Sequence, residues 1–442
     1  MTLTRDEGAT AAGTGGSLST RLSRLLFLAA SVGAVMLLVY WGRYATFLQD
    51  EWDFIVGRLA WDLDAFLQPH SEHWVTGLVL VYKPLLEIVG MQVYWPYLLV
   101  LALLHVTAVA AVYYYVEKAV GAFAALAAAL CLLLLGSGAV NLFWAFQIGF
   151  VGATALGAWA MVLFLDEPTR GRLWAVAVLL TGAVMTAGPG LFFVASIAAV
   201  VVVVPARRRQ FWVLVPAVVV FAVWSLLFGR HQPGVDYLDA LRQFEGVVGF
   251  IRVGLADAVG DVTGLGAEIG LILAVLLVVA VVWNLVSGRP VIEGALAGTA
   301  GLVAQYLIIG VTRYWFATPA APRYTYIAAV FLLIAIAAWI GARRTSARIS
   351  LAFILAIVAL ASVSLIVNWA ELRETRDYFW RSADHTRATV SVLTQYGGTP
   401  GLPAGRQYTL ALPSANGLDL IVDDLGLDTE DFVQSGRPIS DR

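Results

Sequence analysis

Three carboxylates within four residues, Asp50, Glu51 and Asp53, form the sharpest chemical feature of the sequence. They follow closely after an apolar run that ends at Trp41. A carboxylate held at such a place can accept a proton as a general base, and Asp50 is our candidate, with Glu51 or Asp53 orienting it. Asp50 and Glu51 are also hard oxygen ligands that could hold a divalent cation, Mg²⁺ or Mn²⁺. The competing interpretation is helix capping, with Asp50 as N-cap and Asp53 three residues later.

Two histidines and another carboxylate follow in the same stretch. They are His70, Glu72 and His73. Imidazole and carboxylate groups at this spacing can bind a metal or hydrogen-bond a phosphate or a sugar. The alternative is a polar loop at a membrane surface, with the neighbouring Trp74 in the aromatic belt.

Arg313 and Arg323 flank a short polar segment late in the chain, and Tyr324 follows the second arginine. Paired guanidinium groups suit a phosphate, and headgroup contact or a salt bridge to the early acids is the alternative. Trp144 and Gln147 are further candidates for substrate binding. Minor candidates are Asn141, Arg230, His231 and Gln232.

The composition places these residues in a membrane protein. The chain has 442 residues, of which 60% are hydrophobic and 13% charged, whereas soluble domains carry about 25% charged residues. The net charge of −2 removes the basic surface that nucleic-acid binding needs, so nucleic acid is not an expected partner. Cys131 is the single cysteine, which excludes an internal disulfide and a cysteine metal site.

Long apolar runs predict an all-α, polytopic transmembrane bundle of about eleven spans. The runs cover residues 25–41, 94–116, 119–137, 146–165, 172–187, 190–205, 211–228, 268–287, 292–311, 324–341 and 349–368. Residues 1–20 are predicted to be a disordered cytoplasmic tail, 21–369 the transmembrane domain with 43–93 as its first outer loop, and 370–442 a short non-cytoplasmic tail.

Basic residues predict which loops lie in the cytoplasm. They occupy every second junction, at Lys118, 170–172, 207–209, Arg289 and 343–348. The positive-inside rule therefore puts the N-terminus inside and the loops that carry the candidate residues outside. Arg313 and Arg323 break this bias, which suggests that they have a specific role.

Two segments are predicted to be juxtamembrane helices at the outer surface. Residues 75–89 are apolar but contain Lys83, Pro84 and Glu87, which disfavours a span. A stripe at helical spacing over 236–259 indicates a second such helix, or equally a helix packed over the bundle.

The spans carry almost no ionisable residues, which argues against ion-coupled transport. A P-loop, a Gly-x-Ser-x-Gly elbow and a His-Glu-x-x-His pattern are absent from the sequence, so ATP-driven pumping and hydrolase chemistry have no visible motif. His105, Asn284 and Gln305 are expected to form interhelical hydrogen bonds.

The pattern resembles the GT-C superfamily of membrane glycosyltransferases. The resemblance rests on the pair Asp50-Glu51 after a single anchor helix, the histidine-containing loop, the surface helix, the many spans, and Arg323-Tyr324 at the outer start of a late span. It covers most of residues 20–370. The tail is too short for the large carbohydrate-binding domain that many relatives append, so the acceptor stays open.

The resemblance implies an inverting enzyme of the bacterial plasma membrane that moves a sugar from a polyprenyl-phosphate carrier to a cell-envelope glycan, lipid or protein on the non-cytoplasmic face. Asp50 would be its base, and Arg313 and Arg323 would stabilise the leaving phosphate. Two alternatives are a non-catalytic flippase or carrier of lipid-linked sugars and a catalytically dead assembly partner.

Overall fold

The computed structural model describes residues 8–229, 242–315, 317–343, 351–397 and 415–436, and their regular structure is helical. The α-helices are α1 Gly8–Trp41, α2 Asp50–Val56, α3 Leu63–Leu67, α4 Thr76–Val89, α5 Trp95–Ala119, α6 Ala122–Leu133, α7 Val140–Phe143, α8 Ile148–Leu165, α9 Arg170–Thr186, α10 Pro189–Val203, α11 Val215–Leu227, α12 Phe244–Thr263, α13 Ala267–Val286, α14 Glu293–Arg313, α15 Pro322–Arg343, α16 Leu351–Tyr396, α17 Ala415–Leu425 and α18 Thr429–Gln434. Short 3₁₀ helices occupy Gly42–Tyr44, Gly136–Gly138, Ala145–Gln147 and Pro205–Val213.

Every apolar run of the sequence has a helix in the structure. By length and composition, 7 helices of the described chain can cross a membrane, or 8 if the pair Pro205–Val213 and Val215–Leu227, bent by 48°, is one span. Two shorter apolar helices, α6 and α10, and the 17-residue α9 match the remaining runs. The prediction of a polytopic helical membrane protein is confirmed.

Ion pairs join several charged junctions at one end of the bundle. We call this end the ion-pair face. Lys118 Nζ lies 2.7 Å from Asp166 Oδ1, and Arg207 bonds both the Asp166 carbonyl and the Glu293 carboxylate, the latter at 2.8 Å. Arg24 Nη2 lies 2.9 Å from Glu117 Oε2. The predicted cytoplasmic junctions at Lys118, 170–172 and 207–209 therefore share one end, and the loops that carry the candidate residues lie at the other end, the site face.

Helix α4 lies under the candidate loop as an amphipathic helix. Its 14 residues span only about 21 Å, too short for the hydrocarbon core. Tyr82 and Lys83 are buried against the loop, whereas Leu80 and Ile88 are exposed. This arrangement agrees with the expected juxtamembrane helix.

Helix α12 matches the second interpretation of its segment, a helix packed over the bundle. It contacts α13, α14, α15 and α16, and its buried face includes Val247, Phe250 and Val259. Phe244 and Val248, which belong to the apolar stripe predicted over 236–259, are exposed on the protein surface. Residues 236–241 of the expected helix lie outside the described residues.

Polar groups within the spans make local and interhelical contacts. His105 Nδ1 lies 2.9 Å from the Tyr326 hydroxyl, and Gln305 Nε2 donates to the Tyr324 carbonyl at 2.8 Å, as expected for interhelical hydrogen bonds. Asn284 differs, because it donates to Pro290 O at 3.1 Å and caps the turn after its own helix.

Both ends of the described chain depart from the expected tails. Helix α1 begins at Gly8, so most of the segment predicted to be disordered continues the helix of the first span. Helix α16 runs without interruption through the predicted boundary at 369–370, and Trp380 Nε1 bonds the Trp41 carbonyl at 2.6 Å. Ile421 and Phe432 of α17 and α18 are buried, the latter against Trp52 of α2, and α18 also packs on α16.

Candidate active site

Helix α2 presents the acidic cluster at its N-terminus. Gln49, not Asp50, precedes the helix, with a φ of 51° and no side-chain cap, so the capping interpretation of Asp50 is wrong in detail. The acids still occupy the first turn, where the helix dipole favours negative charge. A left-handed backbone at a residue other than glycine stores strain, and such strain clusters at functional sites.

Glu51 is fully buried and accepts hydrogen bonds from four different groups. Its carboxylate receives the Tyr82 hydroxyl at 2.5 Å, the Tyr94 hydroxyl at 3.1 Å, the Trp144 indole at 3.1 Å and the Leu48 amide at 3.1 Å. Burial raises its pKa to about 7, and these hydrogen bonds oppose the rise. The contacts make Glu51 a positioning residue that joins α2, α4, α5 and the loop of Trp144.

Two buried cations hold the loop between α2 and α4 in place, and the sequence did not single out either for this role. Lys83 Nζ donates to the carbonyls of Arg58, Leu59 and Ala60, at 2.6, 3.2 and 2.7 Å. Arg58 in turn donates to the carbonyls of residues 68 and 69, at 3.1 and 3.3 Å. A cation at the carboxyl end of α2 also complements the helix dipole.

The two histidines form a tight hairpin. The backbone N–H of each donates to the carbonyl of the other at 3.1 Å, and Ser71 between them has a φ of 52°. The His70 ring meets Phe54 and Phe146 edge-on, with centroids 5.6 and 5.2 Å apart. Burial lowers the His70 pKa to about 4, so this ring is neutral near pH 7.

His73 and Arg313 join the hairpin to the late spans. Arg313 Nη2 lies 3.1 Å from His73 Nε2, and since a guanidinium can only donate, Nε2 accepts and the imidazole is neutral. Burial, followed by the charge of Arg323, lowers the His73 pKa to about 4, in agreement. Arg313 also forms an ion pair with Glu72 and donates to the Tyr324 hydroxyl at 3.4 Å.

Arg323 reaches the same place from the start of α15. Its guanidinium lies over the ring of Tyr324, 5.3 Å from the centroid, and Asn141 Nδ2 donates to its backbone carbonyl at 3.2 Å. The buried Nε of Arg323 has no hydrogen-bond partner among the described residues. An unpaired buried donor on a cationic side chain is suited to an anion.

These groups line one open cavity of about 240 Å³, which we call the first chamber. Of the predicted residues, those that line it are Asp50, His70, Glu72, His73, Trp144, Gln147, Arg313 and Arg323. Gln147 is 3% exposed, and its Oε1 also lacks a partner within the described ranges. The chamber thus combines two exposed carboxylates, Asp50 and Glu72, with two guanidinium groups and unsatisfied polar atoms.

Three predicted residues lie outside the lining of the first chamber. Glu51 and Tyr324 are buried behind it, and Asp53 lies on the exposed side of α2. Arg230, His231 and Gln232 lie outside the described residues.

The donor set does not fit a cation shared by Asp50 and Glu51. The Glu51 oxygens are occupied by the four N–H and O–H donors, and they are enclosed while Asp50 faces the chamber. No group of three metal-binding His, Cys, Asp or Glu side chains occurs in the part of the chain that the structure describes. The chemistry proposed below therefore uses only side chains.

Comparison with known proteins identifies the fold. No family model matches the sequence, and no curated protein matches it significantly. ArnT from Cupriavidus metallidurans in the apo state aligns with a TM-score of 0.51 and 14% identity, over 94% of this chain and 89% of that one. The archaeal oligosaccharyltransferase AglB from Archaeoglobus fulgidus, in complex with an inhibitory peptide and a dolichol-phosphate, aligns with a TM-score of 0.51 and 12% identity, over 85% of this chain and 58% of that one. Both are GT-C proteins, and the chain has their fold.

Proposed function

We propose that this protein is a membrane glycosyltransferase that moves a sugar from a polyprenyl-phosphate carrier to a hydroxyl of a cell-envelope acceptor on the non-cytoplasmic face. One observation carries the proposal. Asp50, Arg313 and Arg323, which are far apart in the sequence, line the same chamber at the site face. The GT-C fold and the dolichol-phosphate bound to AglB support a lipid-linked donor.

The proposed reaction is a single displacement. Asp50 takes the proton of the acceptor hydroxyl, and the acceptor oxygen forms a bond to the anomeric carbon of the sugar. The bond from that carbon to the phosphate oxygen breaks, and the phosphate leaves with the electron pair. Arg313 and Arg323 stabilise the charge that develops on the phosphate. Attack opposite the leaving group inverts the anomeric centre.

The charge distribution supports the proposed sidedness. Basic side chains such as Lys118, Arg172 and Arg207 collect at the ion-pair face, which the positive-inside rule assigns to the cytoplasm. The first chamber then opens on the non-cytoplasmic side. Nucleotide sugars are absent there, so a membrane-anchored carrier must supply the sugar. A bacterial plasma membrane with the N-terminus inside is part of this proposal.

The experiment compares transfer with carrier binding. The full chain is reconstituted in nanodiscs with a panel of polyprenyl phosphates that carry labelled sugars, and release of the sugar to acceptor or water is measured. For the panel member that is consumed, we expect Asp50→Asn to lower the rate about 10²- to 10⁴-fold, because the general base is lost. Binding of undecaprenyl phosphate, measured by native mass spectrometry, should change less than about twofold, since Asp50 is not required for it.

Asp64→Asn is the matched control, since this exposed acid belongs to the same loop and does not line the first chamber. It should leave both quantities unchanged. If Asp50→Asn retains full transfer, Asp50 is not the base. If no panel sugar is consumed while Arg323→Ala abolishes carrier binding, the protein is a carrier or flippase instead.

A further inference from the structure

A second chamber adjoins the first, on the other side of Trp144 and Arg323. It has a volume of about 310 Å³, and both of these residues line it as well as the first chamber. Its remaining wall includes Gln49, Pro322, Tyr378 and Phe379. Three of these side chains, Trp144, Tyr378 and Phe379, are aromatic.

The two chambers meet next to the proposed catalytic residue. Gln49 lines the second chamber and the next residue, Asp50, lines the first. A molecule in the second chamber therefore lies next to the start of α2 and shares Trp144 and Arg323 with the first chamber. An attacking partner bound there would be close to the proposed donor site, as a displacement requires.

The second chamber lies beyond the hydrocarbon layer. The apolar run of α16 ends near Trp369, and the next turns carry Glu371, Arg373, Glu374, Arg376 and Asp377 before Tyr378 is reached. Tyr378 is 47% exposed. An aromatic surface at this height is in water, so an isoprenoid chain is not its natural occupant.

We propose that the second chamber is the acceptor site and that the acceptor presents a sugar ring there. Flat aromatic faces suit the apolar face of a pyranose or furanose ring, which stacks its C–H groups on them. The amide of Gln49 and the guanidinium of Arg323 supply polar partners for the ring hydroxyls. The inference rests on the proposed function and narrows its acceptor to a glycan or a glycosylated lipid.

The wall of the chamber is held in place before any ligand arrives. Glu51 fixes the Trp144 indole, and Trp380, two residues after Tyr378, bonds the Trp41 carbonyl at 2.6 Å. Phe379 packs against Phe143, with ring centroids 6.4 Å apart. A preformed aromatic wall reduces the entropy that is lost when the sugar ring of the acceptor binds.

The test uses free sugars as probes of the full chain in nanodiscs. Saturation-transfer NMR is recorded with glucose, galactose, mannose, arabinose, N-acetylglucosamine and their methyl glycosides. We expect ring protons of at least one sugar to receive saturation, and Tyr378→Ala to weaken that sugar's binding about tenfold, since one stacking face is lost. Tyr378→Phe keeps the ring and should bind normally. Tyr396→Ala, at the far end of the same helix, is the matched control and should bind as the parent does.

Carrier binding separates the two proposals. Undecaprenyl phosphate should bind the Tyr378→Ala variant as it binds the parent, because the phosphate is assigned to the first chamber. The inference is overturned if no sugar receives saturation, if Tyr378→Ala leaves sugar binding intact, or if it abolishes undecaprenyl phosphate binding. Failure of the parent protein to bind undecaprenyl phosphate would instead count against the proposed function.

Discussion

The Trp144 indole donates to the buried Glu51 carboxylate over 3.1 Å, and through this bond a residue that lines neither chamber sets the wall between them. Glu51 is the neighbour of Asp50, yet the two side chains act in different places. One faces the chamber, and the other organises the aromatic groups behind it.

Removal of the Glu51–Trp144 contact should change the site and the stability together. Glu51→Gln keeps the size of the side chain but replaces an acceptor oxygen with an NH₂ group that faces other donors, so we expect a loss of about 1–3 kcal/mol in the free energy of unfolding. Thermal unfolding in detergent measures the change. A double-mutant cycle with Trp144→Phe should give a coupling of about 0.5–1.5 kcal/mol. Additive effects of the two substitutions would contradict a direct contact.

Stability should fall on both sides of an intermediate pH, for opposite reasons. The folded-state pKa of Glu51 is raised to about 7, so its favourable contribution is complete below the unfolded value of 4.5 and is lost as the pH rises through 7. The pKa of His73 is lowered to about 4, so its contribution is complete above 6.5 and is lost as the pH falls toward 4.

Melting temperature as a function of pH tests both signs. Relative to the parent, Glu51→Gln should make the melting temperature rise more steeply with pH between 4.5 and 7, and His73→Gln should make it rise less steeply between pH 4 and 6.5. Each substitution should leave the slope assigned to the other residue in place. A steeper alkaline decline in Glu51→Gln would show that the carboxylate is ionised and stabilising when buried.

Glu72 competes with the proposed phosphate for Arg313. In the structure the two side chains form an ion pair at the edge of the first chamber. We therefore expect Glu72→Gln to tighten undecaprenyl phosphate binding about three- to tenfold, and Arg313→Gln to weaken it at least as much. Native mass spectrometry or competition binding gives both dissociation constants. Weaker binding by Glu72→Gln would mean that the carboxylate holds Arg313 in its productive position.

Gly188 makes room for the His73 ring. A Cβ at this glycine would lie 2.8 Å from His73 Nδ1, so Gly188→Ala should push the imidazole toward Arg313 and disturb the first chamber. We expect a loss of carrier affinity of about tenfold with a small change in melting temperature. Gly171→Ala is the matched control, since a Cβ there meets nothing within 4 Å. Equal effects of the two substitutions would exclude the steric explanation.

Much of the architecture could be predicted from the sequence because its signals are local. Apolar runs mark the spans, and basic residues at alternate junctions mark the two faces. The convergence of Asp50, His73 and Arg323 followed from placing their loops on the same face, and the structure brings all three into one chamber.

Other features of the site depend on contacts that the sequence does not display. Successive residues of a helix point about 100° apart, so the pair Asp50-Glu51 could not reveal which side chain turns inward. Lys83 and Arg58 were visible only as isolated charges, since their partners are backbone carbonyls. Tyr378 lies in the charged helical stretch that opens the predicted tail, but the neighbouring residues do not show that this helix packs against the first one.

The packing of Phe432 on Trp52 has a consequence for biosynthesis. Helix α2 emerges from the ribosome early, after one span, whereas α18 is translated after every span has been inserted. Until residue 432 is available, one side of the Trp52 indole lacks its cover and the acidic turn lacks its outer support. The spans can therefore be inserted before Phe432 covers Trp52, and the packing around the acidic turn is completed only when the last helix folds against α2.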